Sequence, residues 1–347
     1  MNFKEEFLKL TKFTTPFKFE SELEPFLLSH IPDLLKDSIG NYHKIIGDSE
    51  TLFTCHLDNF CKTKQEVNHI VDDDIVMSDG STILGADNKA GVLVLLYLIS
   101  NNVPGHYCFF IGEEPILSGG LYGSSLFASS YKNIRKFKRA IAFDRKGETS
   151  IITRQMAQNC CSSEFAAELS NLFIQQDVWM EPDNTGYYTD TAAFLEFIPE
   201  CTNISIGVYD EHTKHEYVDL RYLEKVAKAA AQINWEELPC VREALPFLVE
   251  NDEDVVTSGA EMKLFKLIKR KLSEFNFLCM NKNKFQSEKL MIFSHWFEEN
   301  LILNVKIVDN EIFINNIRVP HYDTEESIID SELQSILNTI INQNETV

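Results

Sequence analysis

Carboxylates and imidazoles recur between residues 56 and 216 in tight groups: His56-Leu57-Asp58, Asp87 within Gly85-Ala86-Asp87-Asn88, Glu113-Glu114 after Gly112, Asp144 after Phe143, and Glu211-His212-Thr213-Lys214-His215-Glu216. A lone His or a Glu-Glu pair in an acidic chain is usually a solvated face. Five such groups, each at the end of a short apolar run or in the loop after it, form the donor set for a pair of divalent cations. Two such ions, about 3.5–4 Å apart, need a carboxylate between them and further ligands for each. Asp87 is the natural bridge, because it stands among small residues just ahead of the apolar run Val92 to Ile99. His56 and Asp144 can complete one ion, and Glu114 and His212 the other, with His215 competing for the last position. Imidazole and carboxylate without thiolate suit Zn2+ best, with Mn2+ or Co2+ as substitutes. Asp58, two residues beyond His56, is placed to accept the second imidazole N–H and fix its tautomer. Consecutive residues of an extended chain point opposite ways, so if Glu114 binds metal, Glu113 faces the attacking water as general base.

The elements that must carry these groups can be read from periodicity. Phe3 to Phe13 and Phe19 to Leu35 have amphipathic helical patterns, separated by Thr14-Thr15-Pro16. Tyr42 to Ile46 and Leu52 to Leu57 are β-prone, and Asp79-Gly80 reads as a hairpin turn leading to the Asp87 loop. Then strand and helix alternate: a helix from Asn88 to Ser100, a strand over Tyr107 to Ile111, a helix over Ser124 to Tyr131, and a strand over Ala140 to Phe143. A helix over Ser163 to Gln175, a strand over Asn203 to Val208 and a helix from about Asp219 follow. Such alternation predicts a mixed, largely parallel sheet with helices on both faces and ligands at the carboxyl ends of the strands.

The alternation stops between Pro239 and Asp254, which divides the chain into a catalytic domain over residues 1–240 and a small α+β domain over 255–347. In the second, a helix is expected from Ala260 to Phe275, a hairpin from Leu301 to Val319, and a helix from Asp323 to Ile341 with Asp323 and Glu326 as its capping box. Lys263, Lys266, Lys269, Arg270, Lys271, Lys282, Lys284 and Lys289 make its first part basic, a solvated face or a docking surface for an acidic partner. Protein contact or oligomerisation through this domain is a further expectation.

Composition narrows the class. At 347 residues with 44% apolar side chains, the chain can build a substantial core. A net charge of −21 repels phosphate backbones and anionic lipid, which argues against nucleic acid or membrane partners. The amino terminus lacks a signal-peptide pattern, and the run Ala90 to Ile99 is too short to span a bilayer. Eight cysteines without a Cys-x-x-Cys pair suit reduced thiols and a cytoplasmic location. Cys55, beside His56, reads as a buried strand residue, and His69, His106 and His295 have no ligand context.

Taken together, these residues resemble the di-zinc exopeptidase superfamily of zinc aminopeptidases, tripeptidases and carboxypeptidase-like deacylases, over about residues 10–235. His56-Leu57-Asp58 is similar to the family's His-x-Asp, Gly85-Ala86-Asp87-Asn88 to its bridging-aspartate loop, Glu113-Glu114 to its base and ligand pair, and Asp144 to its later carboxylate ligand. His212 to Glu216 is similar to the family's His-x-x-x-Glu, which selects His212 over His215, and Tyr188-Thr189-Asp190-Thr191 resembles its Thr-Asp segment. The resemblance implies a phosphorylase-like three-layer α/β/α sandwich, a cis peptide after Asp87, two Zn2+ per chain, and hydrolysis of a peptide or small amide next to a chain end. Pro115 departs from the family pattern after the Glu pair. Only 67 residues, 145 to 211, separate Asp144 from His212, which leaves no room for the lid domain of the tripeptidase and carboxypeptidase-like branches. The expectation is therefore a lidless, aminopeptidase-like enzyme with Glu113 as base, and with Tyr187 or Tyr188 as candidates to assist the oxyanion. The alternatives are a deacylase or carboxypeptidase acting on N-acyl substrates, or a metal-bound binding module without turnover.

Overall fold

The computed structural model describes residues 1–114, 120–155 and 158–244, and beyond them five strands between residues 277 and 319. The chain divides into two units, Met1–Phe247 and Leu248–Val347. In the first, α1 (Phe3–Leu10) is capped by Asn2, whose Oδ1 accepts the Glu5 N–H, and it buries Phe3, Phe7 and Leu10. The stretch expected to form one helix from Phe19 to Leu35 is broken. Glu20–Leu23 is a 3-10 turn, α2 (Glu24–His30) has Pro25 in its first turn, and Leu35–Lys36 is an edge strand, β1. Proline suits a helix start but not its interior, and Pro32 turns Ile31 away from helical backbone.

The chain continues through β2 (Tyr42–Ile46), β3 (Thr51–His56), β4 (His69–Asp72), β5 (Ile75–Ser78), α3 (Ala86–Ser100), β6 (Gly105–Phe110), α4 (Tyr122–Ser130) and β7 (Arg139–Arg145). Three short strands follow, β8 (Ser150–Ile152), β9 (Arg154–Gln155) and β10 (Gln158–Asn159), and then α5 (Ser163–Gln175), β11 (Glu181–Asp183), β12 (Glu200–Ser205), β13 (Val208–Tyr209), β14 (Tyr217–Asp219) and α6 (Leu220–Ala230). The hairpin turn falls at Asp73-Asp74, where Asp73 has φ +52°, between the antiparallel strands β4 and β5. Asp79-Gly80 lies beyond that hairpin, with the Asp79 N–H donated to the Asn68 carbonyl. Asp219 caps α6 by accepting the Arg221 and Tyr222 N–H groups.

The main sheet has eight strands in the order β1-β2-β6-β3-β7-β12-β8-β11. Its centre, β6-β3-β7-β12, is parallel throughout, and antiparallel pairs flank it. A second sheet, β13-β14-β5-β4, forms beside it from segments too short to announce themselves in sequence. Successive residues of β6 face opposite sides. Tyr107 stacks on Phe53, which with Phe143 packs edge-on against Trp235; the Trp235 indole N–H is donated to Ala230 at the end of α6, and α6 packs on α3. On the other side His106 and Phe110 meet Phe127 of α4. Helices therefore cover both faces, and the chain is an α/β protein with a mixed, largely parallel sheet. Helix α3 is buried nearly all round, so its apolar run carries little amphipathic signal. Among the described residues no helix is long and apolar enough to cross a membrane.

In the second unit β15 (Phe277–Asn281), β16 (Lys289–Ser294), β17 (Leu301–Val308), β18 (Glu311–Ile314) and β19 (Ile317–Val319) form an antiparallel meander. The hairpin expected over Leu301 to Val319 is thus three strands of five. The helices expected at Ala260 to Phe275 and Asp323 to Ile341 lie outside the described residues.

One buried cation ties the end of the first unit to its sheet. The Arg139 guanidinium, 1% exposed, donates to Glu236 Oε2 (3.2 Å), Thr51 Oγ1 (3.3 Å) and the Leu238 carbonyl (3.3 Å). Glu236→Ala removes its counter-ion and is expected to cost about 2 kcal/mol, read as a lower midpoint in urea unfolding. An unchanged midpoint would show that the pair contributes nothing net.

Candidate metal centre

The parallel strands deliver their carboxyl ends to one edge of the sheet, and the carboxylates and imidazoles of the sequence groups meet there. His56 is the last residue of β3, and its Nε2 lies 3.1 Å from Asp87 Oδ1. The other oxygen of the same carboxylate, Oδ2, lies 3.1 Å from His212 Nε2. Asp87 therefore stands between two imidazoles with one oxygen toward each. Asp144, near the end of β7, places Oδ1 3.4 Å from His56 Nε2, and Glu114 places Oε1 2.9 Å from His212 Nε2. Donor atoms of His56, Asp87 and Asp144 lie within 4.8 Å of one another, as do those of Asp87, Glu114 and His212. His215 is exposed and joins no such group among the described residues.

Glu113 and Glu114 do not diverge as consecutive strand residues would. Gly112, at φ +65°, ends the extended backbone, and both carboxylates enter the cluster, with Glu113 Oε2 3.8 Å from His56 Nε2. Asp58 also departs from expectation. His56 Nδ1 meets the Asp58 backbone carbonyl at 3.0 Å, while the Asp58 carboxylate is 3.7 Å away and instead accepts the Glu113 and Glu114 N–H groups, each at 3.0 Å. Buried N–H groups in a loop have no ladder partner, and a carboxylate with two oxygens satisfies both. Asp58 thus holds the backbone of the Glu pair, and a carbonyl holds the imidazole.

Four further residues act on this centre, and sequence reasoning assigned none of them a task. Glu216, fully buried, accepts the Gly85 N–H (2.7 Å) and the Asp87 N–H (3.0 Å), gripping the bridging loop from both ends. Asn59 Nδ2 donates to the Asp87 carbonyl at 2.6 Å. Gly85 takes φ +73°, and a Cβ there would lie 2.8 Å from Asn59 Oδ1, so only glycine fits the turn. The Asp87–Asn88 peptide bond is cis. Thr189 Oγ1 donates to Asp144 Oδ2 at 2.6 Å, and Phe60 stacks on the His212 ring at 4.6 Å. Glu216 and Thr189 were visible as parts of the His-x-x-x-Glu and Thr-Asp segments. Phe60 had no signal, because 151 residues of sequence, 61 to 211, separate the two rings.

Electrostatically the cleft is short of positive charge. Burial pushes Glu114 up to about 7 and Asp144 up to about 6, with the neighbouring Asp87 charge adding to both. Burial raises Glu113 well above the usual carboxylate range; His56 opposes the shift, and Glu114 and Asp144 reinforce it. Burial also acts to raise Asp87, but hydrogen bonds from His212 and His56 outweigh it and hold that carboxyl far below its ordinary value. His212 is driven the other way: burial lowers it, yet Asp87 and Glu114 lift it to about 11. Asp144 Oδ1 is buried without a hydrogen-bond partner. Four carboxylates around two imidazoles, with an orphaned oxygen among them, fit divalent cations by charge and by donor type.

The centre opens into a cavity of about 350 Å3, lined also by Arg145, Tyr187, Tyr188, Asn203 and Glu211. Such a volume lies at the lower end of small-ligand sites, ~300–1,000 Å3.

No family model and no curated protein matches the sequence. Solved structures do match. Aminopeptidase PepT from Bacillus cereus ATCC 10987 aligns with a TM-score of 0.56 at 16% identity, over 66% of this chain and 96% of its own. The TET1 peptidase of Pyrococcus horikoshii aligns with a TM-score of 0.51 at 18% identity, over 66% and 98% of the two chains. TET aminopeptidase from Thaumarchaeota archaeon SCGC AB-539-E09 aligns at 0.50 and 13% identity, over 67% and 96%. The chain shares the fold of these peptidases.

Proposed function

We propose that the chain is a metal-dependent exopeptidase that removes residues from the amino ends of peptides. The observation that carries this reading is Asp87, whose two carboxylate oxygens each lie 3.1 Å from a different imidazole. His56, Asp87 and Asp144 would hold one Zn2+, and Asp87, Glu114 and His212 the other. Bound there, the pair of ions supplies Lewis acidity toward a carbonyl oxygen and lowers the pKa of water.

The remaining work falls to the chain's own residues. Glu113 reaches the centre through its carboxylate while its backbone is pinned by Asp58, so it can take a proton from water and pass it to the leaving amine. Glu113 is 5% exposed, and burial keeps its proton affinity high enough for that return. Tyr188 lines the same cavity and is a candidate donor to the oxyanion. Seven described cysteines are free, which supports a cytoplasmic setting. The aminopeptidase reading is favoured over a deacylase because two of the similar folds belong to proteins named aminopeptidases.

Glu113→Gln is expected to keep its metal and lose about 10²–10⁴-fold in turnover, measured on an unblocked peptide panel with metal content determined on the same sample. Full activity in this variant would remove Glu113 from the role of base. Glu216→Gln loses one of the two acceptors that grip the bridging loop and is expected to weaken metal binding about 10–100-fold, measured by competition with a chelator. The wild-type chain, purified without chelator, is expected to hold two zinc ions among the donors of this cleft and to release amino-terminal residues. Cleavage confined to N-acylated substrates would move it to the deacylase class.

A further inference from the structure

A second cluster of metal-ligating side chains lies within the sheet, away from the strand ends. His43 on β2 is paired in register with Cys108 on β6, and His106 lies two residues before Cys108 on the same face. All three are buried under Phe127 of α4, which stacks on His43 and meets His106 edge-on. His43 Nδ1 lies 3.0 Å from Cys108 Sγ and 3.3 Å from His106 Nε2, and the three donor atoms lie within 4.8 Å of one another. We propose that His43 Nδ1, His106 Nε2 and Cys108 Sγ form a separate site for a thiophilic d10 cation, Zn2+ in the first instance, that staples β2 to β6.

Hydrogen-bond accounting carries this reading. Asp37 Oδ2 lies 3.0 Å from His43 Nε2. Asp37 also accepts N–H groups from Ile39, Gly40 and Asn41, contacts that stabilise its anion. His43 Nε2–H therefore donates to Asp37, and Nδ1 is left as a lone pair. Metal-bound histidines ordinarily donate their other ring N–H to such a carboxylate. Two groups, the Cys108 thiol and His106, contend for that one lone pair. His106 Nδ1 has no partner in either case. Ligation through Nε2 places the proton on Nδ1 of a ring bordered edge-on by Phe127, Tyr131 and Phe137, and aromatic faces accept an N–H better than a bare lone pair.

Size and charge agree. Zn–N bonds of about 2.0–2.1 Å and Zn–S bonds of about 2.3 Å at tetrahedral angles put donor atoms roughly 3.3–3.6 Å apart; the His43–His106 pair at 3.3 Å already has that spacing, and the His43–Cys108 pair at 3.0 Å opens slightly to admit the ion. Binding releases the thiol proton to solvent as the thiolate–metal bond forms. The divalent ion, one thiolate and the Asp37 carboxylate then sum to zero, which suits a buried site.

The test uses the full chain, stripped with chelator and reloaded with Co2+. A near-ultraviolet thiolate-to-cobalt charge-transfer band is expected in the wild type and in Glu114→Gln, since the cleft donors contain no sulfur. The band should vanish in Cys108→Ala, together with one metal equivalent per chain. A wild type without the band, or a band that survives Cys108→Ala, overturns the proposal and leaves a hydrogen-bonded cluster only. X-ray absorption at the zinc edge of the wild-type protein decides independently of any variant's folding. A zinc–sulfur shell supports the site, and a shell of nitrogen and oxygen alone overturns it.

Discussion

Negative charge held out of water is the constraint to which the rest of this structure answers. Asp87, Glu113, Glu114 and Asp144 converge within a few ångströms, and two imidazoles do not balance them. Left to itself such a cluster would take up protons, as the raised Glu114 and Asp144 carboxyls indicate. Asp87 resists, because each of its oxygens faces an imidazole. The frame around it is built to keep the charges in place. Glu216 and Asn59 fix the bridging loop through backbone contacts, and Asp58 fixes the Glu pair in the same way. Anchoring through the backbone leaves every ligand side chain free to point inward.

Such a convergence requires strands that end together. The four central strands run parallel, so β3, β6 and β7 release His56, Glu113-Glu114 and Asp144 at one edge of the sheet. Parallel strands place helices on both faces and bury their own side chains, and this one does so with Phe53, Tyr107, Phe143 and Trp235 on one side and His106, Phe110 and Phe127 on the other. His212 arrives by a different route, from the loop joining β13 and β14 of the second sheet, and its ring is held by stacking on Phe60.

Strand β6 shows how one element serves two purposes. Its carboxyl end leads into the Glu pair, while its middle carries His106 and Cys108 against His43. The period of two separates the functions by face: Tyr107 and Phe109 turn away from the histidine cluster. His106 had been set aside in sequence for want of context. Its context is the neighbouring strand, 63 residues away, which no local pattern can reveal.

Local order carries chemistry, and that is what the sequence determined alone. The donor types, their order along the chain, the α/β alternation and several element bounds, such as Ser163–Gln175 and Tyr42–Ile46, follow from spacing and periodicity. What failed were contacts that depend on chain reversal or on backbone breaks. Pro25 divided a helix that amphipathicity alone had extended, and the hairpin turned at Asp73-Asp74 rather than at Asp79-Gly80. Asp58 was expected to bond to its near neighbour's imidazole, but the buried N–H groups of Glu113 and Glu114, 55 and 56 residues away, claimed its carboxylate. Glu113 and Glu114 were expected to diverge, and the positive φ of Gly112 brought them together. The physical reason is common to all of these. Residue type and spacing decide what a side chain can do, whereas its partner is chosen by whichever unsatisfied group the fold buries beside it.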